Sequence, residues 1–328
     1  MKILIVGFGS IGKRHAQNIL QYTNNDIVIL TKRKKIPSIN GKSIKFFNSL
    51  DLCLKECPEL ALITNETSLH IKFALKIAKK GIPLFIEKPL SNSMTDVLKL
   101  EKLVNEKKIF TYIGCNLRFH SCIKKIKSLL EKNSIGRVIS VQVECGSYLP
   151  DWHPYEDYKK SYASRDDLGG GVVLTCIHEI DYLYWFFGMV NEICSITGSF
   201  SNLDITASDL SAIILKFKNN IIGEIHLDYF QKFETRSCKI IGTTGIIYWD
   251  SQNNLVKIFD NKKNLWINKY KLEKYDKNQE YVEELKHVLK CIKNKSNSIN
   301  DISQGIDTLR IALSAIKASE RKKFLRIL

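Results

Sequence analysis

The chain opens with a short apolar run, Ile3-Leu4-Ile5-Val6, that passes directly into Gly7-Phe8-Gly9-Ser10-Ile11-Gly12. A β-branched run of this length reads as a buried strand, and three glycines at this spacing read as a tight turn that opens a helix. Gly7 permits the turn, Gly9 lets a ligand come close to the backbone, and Gly12 lets helix and strand pack together. The first helical N–H groups, from Ser10 and Ile11 onward, have no partner within the helix. Together with the positive end of the helix dipole they suit a pyrophosphate. The arrangement is that of a dinucleotide-binding βαβ unit.

More alternation follows. Strand patterns fall at 2–6, 26–31, 59–63, 83–86 and 109–113, and helix patterns at 11–22, 49–56, 67–80 and 94–107. Thr67 and Gly81 bracket one helix, and Ser93 with Asp96 gives the S-x-x-D capping pattern of another. Such alternation predicts a mostly parallel sheet with helices on both faces. Beyond about residue 118 the pattern changes. A helix over 120–132 leads to a strand over 137–146, an irregular aromatic-rich stretch over 147–168 and an apolar helix over 171–187. Strands then run from 190 to 271, with turns at Asn219-Asn220, Ser251-Gln252-Asn253 and Asp260-Asn261-Lys262, before helices over 278–294 and 302–320. The expected fold class is α/β: a Rossmann domain over 1–118, then an α+β domain over 119–328 with a largely antiparallel open sheet. The C-terminal helices are free to pack back on the first domain.

At 328 residues the chain is long enough for two such domains. No apolar run reaches the roughly 18–20 residues that cross a bilayer, and the N-terminal apolar stretch is too short for a signal peptide. The nine cysteines show no CxxC pair, which fits reduced thiols in a cytoplasm better than a disulfide framework. Cys53 and Cys57 lack a zinc spacing and read as packing residues; His120, His153 and His226 form no metal pattern. The net charge of +16 raises nucleic acid as a partner, but the lysines interleave with helix periodicity and form no long block, so no nucleic-acid or membrane partner is expected.

The end of the second strand bears on the cofactor. An NAD site places an acid there to take the ribose 2′-hydroxyl. Here the chain reads Thr31-Lys32-Arg33-Lys34-Lys35. A hydroxyl followed by cations suits a 2′-phosphate, so NADP is favoured over NAD. An exposed basic loop with dual cofactor use is the alternative.

Three further segments resemble a known family. Leu62-Ile63-Thr64-Asn65-Glu66-Thr67-Ser68-Leu69-His70 resembles a turn after a later Rossmann strand, Glu87-Lys88-Pro89 follows the apolar strand ending at Ile86, and Gly169-Gly170-Gly171 precedes His178 and Asp181. With the N-terminal GFGSIGKRH they resemble the Gfo/Idh/MocA oxidoreductases over essentially the whole chain. The resemblance implies sugars, polyols or nucleotide sugars as substrates, and a homo-oligomer, dimer or tetramer, joined through the second-domain sheet. It implies no metal. It makes Lys88 and His178 catalytic. With the glycine turn and the end of strand two as read above, the expected cofactor residues are Gly7, Gly9, Ser10, Ile11, Gly12, Thr31, Lys32, Arg33, Thr64, Asn65, His70, Glu87, Lys88 and Asn116. In the substrate site the resemblance places Arg118, Thr175 and His178. Family members usually carry an aspartate a few residues before the histidine; Thr175 stands there in this chain.

Hydride transfer at a carbinol needs a group to accept the hydroxyl proton. His178 suits general acid–base work, and Lys88 suits a developing alkoxide; sequence leaves open which of them moves the proton. A cis bond before Pro89 would fix Lys88 in place. The stretch from Tyr148 through Trp152, Tyr155, Tyr158 and Tyr162 to Arg165 offers aromatic faces for a sugar ring, with Lys159, Lys160 and Arg165 for an anionic group. Equally, Tyr158 and Tyr162 fit the spacing of a short packed helix. This stretch and GGGVVLTCIHEIDYLYWFFG resemble members from bacterial surface-polysaccharide and sialic-acid-like sugar pathways. A non-catalytic NADP-binding sensor or interaction protein on the same fold is the alternative, and Thr175 is its support.

Overall fold

The computed structural model describes residues 1–327. It divides into two units, one of Met1–Asn116 with Lys277–Ile306, the other of Leu117–Asp276 with the chain from Asp307 onward. Residues 277–306, placed by chain order in the second domain, thus group with the first.

In the first unit β1 (Lys2–Val6), α1 (Ser10–Tyr22), β2 (Asp26–Leu30), β3 (Lys45–Phe47), α2 (Leu50–Lys55), β4 (Leu60–Ile63), α3 (His70–Ala78), β5 (Leu84–Glu87), α4 (Val97–Lys107) and β6 (Thr111–Gly114) follow in turn. The sheet is wholly parallel, in the order β3-β2-β1-β4-β5-β6. Strands covered on both faces lose the polar alternation, which is why LALI and LFIE are buried at every position, the one acid, Glu87, standing at the carboxyl end of β5. The strand order reverses between β1 and β4, and the crevice beyond their carboxyl ends is where an open α/β sheet binds its ligand.

The second unit contains α5 (Ser121–Glu131), β7 (Val138–Gly146), α6 (Val172–Thr175), α7 (His178–Phe187), β8 (Val190–Gly198), β9 (Leu210–Phe217), β10 (Ile222–Asp228), β11 (Thr235–Gly242), β12 (Gly245–Asp250), β13 (Leu255–Asp260) and β14 (Leu265–Lys271). Two long helices, α8 (Lys277–Asn294) and α9 (Ile302–Arg321), and the short β15 (Leu325–Arg326) complete the described chain. The nine strands run in the order β14-β13-β12-β11-β7-β10-β9-β8-β15. Every pair is antiparallel except β7 with β10. Residues alternate along β9, β10 and β12, so one face is buried beneath helices and the other lies open. Trp249, Cys238, Ile240 and Ile247 lie in the covered core.

The edge strand β6 is not left bare. The Ile113 N–H donates to the Asn300 carbonyl (2.8 Å), and Asn300 Nδ2 donates back to the Ile113 carbonyl (2.9 Å). The segment between α8 and α9 therefore satisfies an edge that would otherwise invite strand addition. Among the described residues no helix is long and apolar enough to cross a membrane.

Several local expectations change. The three-residue β3 is too short to read as a strand from sequence alone; it is held by pairing with β2. The S-x-x-D cap does not form: Asp96 takes a left-handed conformation before α4, and Ser93 Oγ accepts the Thr95 N–H instead. The helix expected over 171–187 breaks at Cys176-Ile177, so His178 begins α7. Tyr158 and Tyr162 do not share a helix, because Ser161 is extended between two separate 3₁₀ turns. Cys53 is buried packing, whereas Cys57 is exposed.

Candidate active site

The glycine turn shows why each position is glycine. Gly7 has φ +98°, and a Cβ there would come within 2.8 Å of the Asn65 backbone. A Cβ on Gly12 would meet the Gly7 carbonyl and lie 2.8 Å from Thr64 Oγ1. Around Gly9 there is open space. Thr64 Oγ1 lies 3.0 Å from the Val6 carbonyl and 3.1 Å from that of Gly7, joining the carboxyl ends of β4 and β1. Asn65 Oδ1 is buried without a hydrogen-bond partner among the described residues. The first turn of α1 carries no acid. An open backbone approach, an acid-free helix start and an unmet buried acceptor all fit a dinucleotide.

At the end of β2, Thr31 Oγ1 accepts the Arg33 N–H (3.2 Å), and the Lys32 and Arg33 side chains are exposed. His70 is buried with Nδ1 2.9 Å from the Pro89 carbonyl and Nε2 3.0 Å from that of Asn65. Burial holds its imidazole below the usual histidine range. His70 thus joins the Asn65 turn to the Glu87-Lys88-Pro89 loop, and the Lys88–Pro89 peptide is cis. Glu87 Oε1 lies 2.7 Å from His15 Nε2, while Oε2 accepts the Lys88 N–H at 3.2 Å. Asn116 donates from Nδ2 to Glu280 on α8 at 2.6 Å.

The second unit carries His178, buried at the start of α7, and Thr175, buried at the end of α6 with the Tyr229 phenol facing it. Trp152 Nε1 donates to Ser147 Oγ (2.9 Å), and its ring stands edge-on to Tyr229. Lys232 sits over the Tyr148 ring, 4.8 Å from its centre. Two of the expected substrate residues, Arg118 and Arg165, each hold a carboxylate of this chain. Arg118 is buried and grips Asp181 with two hydrogen bonds, 2.9 and 2.8 Å, because a fully desolvated guanidinium needs a carboxylate. Arg165 grips Asp167 in the same forked way, and Lys159 pairs with Asp204.

Sequence reading passed over several groups. His15 and Glu284 join Glu87 in one buried cluster, their ligand atoms within 4.8 Å of one another. Glu280 and Glu284 replace apolar residues along the buried stripe of α8, a signal readable from their spacing. Beside His178, Glu179 is wholly buried against Arg236 (2.8 Å), and burial pushes its carboxyl up to about 8. Arg236 Nη2 also lies 3.2 Å from Cys145 Sγ.

Residues 1–114 match the NAD-binding Rossmann fold of the Gfo/Idh/MocA oxidoreductases, and residues 123–248 match that family's C-terminal domain. The myo-inositol 2-dehydrogenase of Thermotoga maritima is 24% identical, over 100% of this chain and 98% of its own. The glucose-6-phosphate 3-dehydrogenase of Bacillus subtilis is 22% identical over 73% of this chain and 68% of its own. A structure of levoglucosan dehydrogenase with NADH shares the fold at a TM-score of 0.89, with 14% identity over 100% of this chain and 99% of the other. With both halves matched, the chain belongs to the Gfo/Idh/MocA oxidoreductase family.

Proposed function

We propose that this oxidoreductase uses NADP in preference to NAD to transfer hydride at a CH–OH carbon of a sugar, amino sugar or nucleotide sugar, in bacterial surface-glycan biosynthesis. The observation that carries the reading is the end of β2, where Thr31 stands in place of an acid and the Lys32 and Arg33 side chains are exposed beside it. A 2′-phosphate gains charge-assisted hydrogen bonds there; a 2′-hydroxyl would find no carboxylate. The sugar assignment rests on the names of the relatives, and the glycan setting on the aromatic stretch from Tyr148 to Arg165.

The bound nicotinamide supplies the hydride acceptor or donor. Lys88 holds the substrate oxygen with its ammonium as negative charge develops there, and His178 takes the hydroxyl proton. Thr175 supplies a hydroxyl for the sugar where the family usually has an aspartate. Glu87, His70 and Asn116 shape the cofactor's surroundings.

The open face of the second-unit sheet joins copies of the chain. It exposes Ile196 and Ile214 around a depression of about 580 Å³ that also includes Tyr248. Nine free thiols suit a cytoplasmic setting.

The test is NADP⁺ reduction, followed by absorbance, with myo-inositol, glucose 6-phosphate and UDP-linked sugars. Lys88→Ala and His178→Ala should each lower turnover by about 10²-fold or more with unchanged melting. Wild-type turnover in both would overturn the site. NADPH binding without turnover of any sugar would point instead to a sensor.

A further inference from the structure

A buried histidine in the first helix plays no part in the chemistry above. His15 lies on α1 with 1% of its surface exposed. Its Nε2 is 2.7 Å from Glu87 Oε1, and its ring stands edge-on to Phe85 and Tyr281, with centres 5.0 and 6.0 Å away. Glu87 in turn accepts the backbone N–H of Lys88 through Oε2. Gly114 leaves this carboxylate its room: a Cβ there would lie 3.3 Å from Glu87 Cδ and closer still to the Phe85 ring. Glu284 stands in the same cluster, bound by the Tyr112 hydroxyl at 2.9 Å. A buried carboxylate with a donor on each oxygen has one orientation, and the residue hanging from its second oxygen inherits it.

We propose that His15 is a positioning residue: it clamps Glu87, and Glu87 fixes the main chain of Lys88 so that the lysine side chain starts from one defined place. This rests on the assignment of Lys88 to the substrate oxygen. The glycine turn and the lysine loop are thereby coupled, since α1 carries both the cofactor-facing N–H groups and the clamp. Misplacing a reacting group by about 1 Å can cost on the order of 10² in rate. Damage to the clamp therefore appears in kcat, while cofactor affinity, set at the start of α1, is kept.

The experiment compares two amides that differ by one methylene. In His15→Gln the side-chain NH₂ reaches about as far as Nε2 and can still donate to Glu87. In His15→Asn it stops near the position of Nδ1 and cannot. Turnover is read with whichever of myo-inositol, glucose 6-phosphate and UDP-N-acetylglucosamine the wild type oxidises fastest. Cofactor affinity, melting temperature and amide hydrogen exchange of the peptide over 87–90 are read on the same preparations. Pro89 has no N–H, so that peptide reports few amides besides that of Lys88.

His15→Asn is expected to lower kcat by about 10- to 100-fold. Its NADPH affinity should stay within about a factor of two, and its Lys88 amide should exchange faster than in the wild type. His15→Gln is expected to restore kcat and the Lys88 amide exchange and to keep the same NADPH affinity. Equal kcat in wild type and His15→Asn overturns the proposal, as does a His15→Gln protein no better than His15→Asn, or a loss confined to cofactor affinity. Should His15→Asn fail to fold, low kcat in a folded His15→Gln protein overturns it. Lys88→Ala is run beside them: if it keeps full turnover, the assignment of Lys88 fails, whereas an inactive Lys88→Ala with an intact His15→Asn refutes the clamp alone.

Discussion

Asp181→Asn is the sharpest structural perturbation of the second unit. The Arg118–Asp181 pair is almost free of solvent, with 0% and 1% of the two side chains exposed. Both carboxylate oxygens are used, and the guanidinium carbon lies 5.6 Å from the centre of the Trp185 ring. Asparagine keeps one acceptor and turns an NH₂ group toward the other guanidinium N–H, leaving a buried cation with half its partner. Breaking a buried pair in this way costs about 3–5 kcal/mol. For a unit of this size that lowers its melting temperature by about 10 °C. Urea unfolding followed by tryptophan fluorescence reads the loss, with Trp185 beside the pair. The double variant Arg118→Met with Asp181→Leu removes both charges and should recover to within about 1 kcal/mol of the wild type. Asp181 lies one turn beyond His178 on α7, so Asp181→Asn should also reduce turnover under conditions where the protein stays folded. A loss below about 1 kcal/mol in the single variant would refute the reasoning, since it would mean that water reaches the guanidinium.

Three further outcomes are expected. Burial and the nearby Arg236 charge push the His120 imidazole down to about 4, while the unfolded chain takes up this proton below about pH 6.5. Stability is therefore lost as pH falls through that window, by about 2 kcal/mol between pH 7 and pH 5. His120→Asn, which keeps an acceptor for the Cys122 N–H that His120 Nδ1 now accepts, should flatten this part of the pH profile of denaturant unfolding; an unchanged slope would contradict the assignment. Gly12→Ala places a methyl on the Gly7 carbonyl and should cost about 1–3 kcal/mol with at least about tenfold weaker NADPH binding; wild-type stability and affinity would refute the close approach. Ile214→Lys, on the open sheet face, should convert the oligomer to a monomer by light scattering; a wild-type protein that is already monomeric would refute the interface.

What could be read from the sequence was mostly local. The glycine turn, the parallel βαβ alternation and the hairpin strands are set by neighbours within a few residues, and the structure has them. The partners of residues in and around the site were hidden because tertiary folding supplies them. His15 and Glu87 are 72 positions apart, Arg118 and Asp181 are 63 apart, and Asn116 and Glu280 are 164 apart. No period links such residues. The carboxylates that hold Arg118 and Arg165 could not be read, because sequence reports a charge without its counterion. The break before His178 carries no glycine or proline, so nothing in the pattern marked it. Glu280 and Glu284 are the exception: two acids on an apolar stripe already mark buried groups that need partners.

The most direct test of the cofactor assignment is titration of the purified protein, freed of copurified nucleotide, with NADPH and with NADH, followed by energy transfer from tryptophan. NADPH should bind more tightly by about tenfold or more, and Lys32→Ala with Arg33→Ala should abolish most of the difference. Tighter binding of NADH, or a preference that survives the double substitution, would contradict the reading of Thr31-Lys32-Arg33.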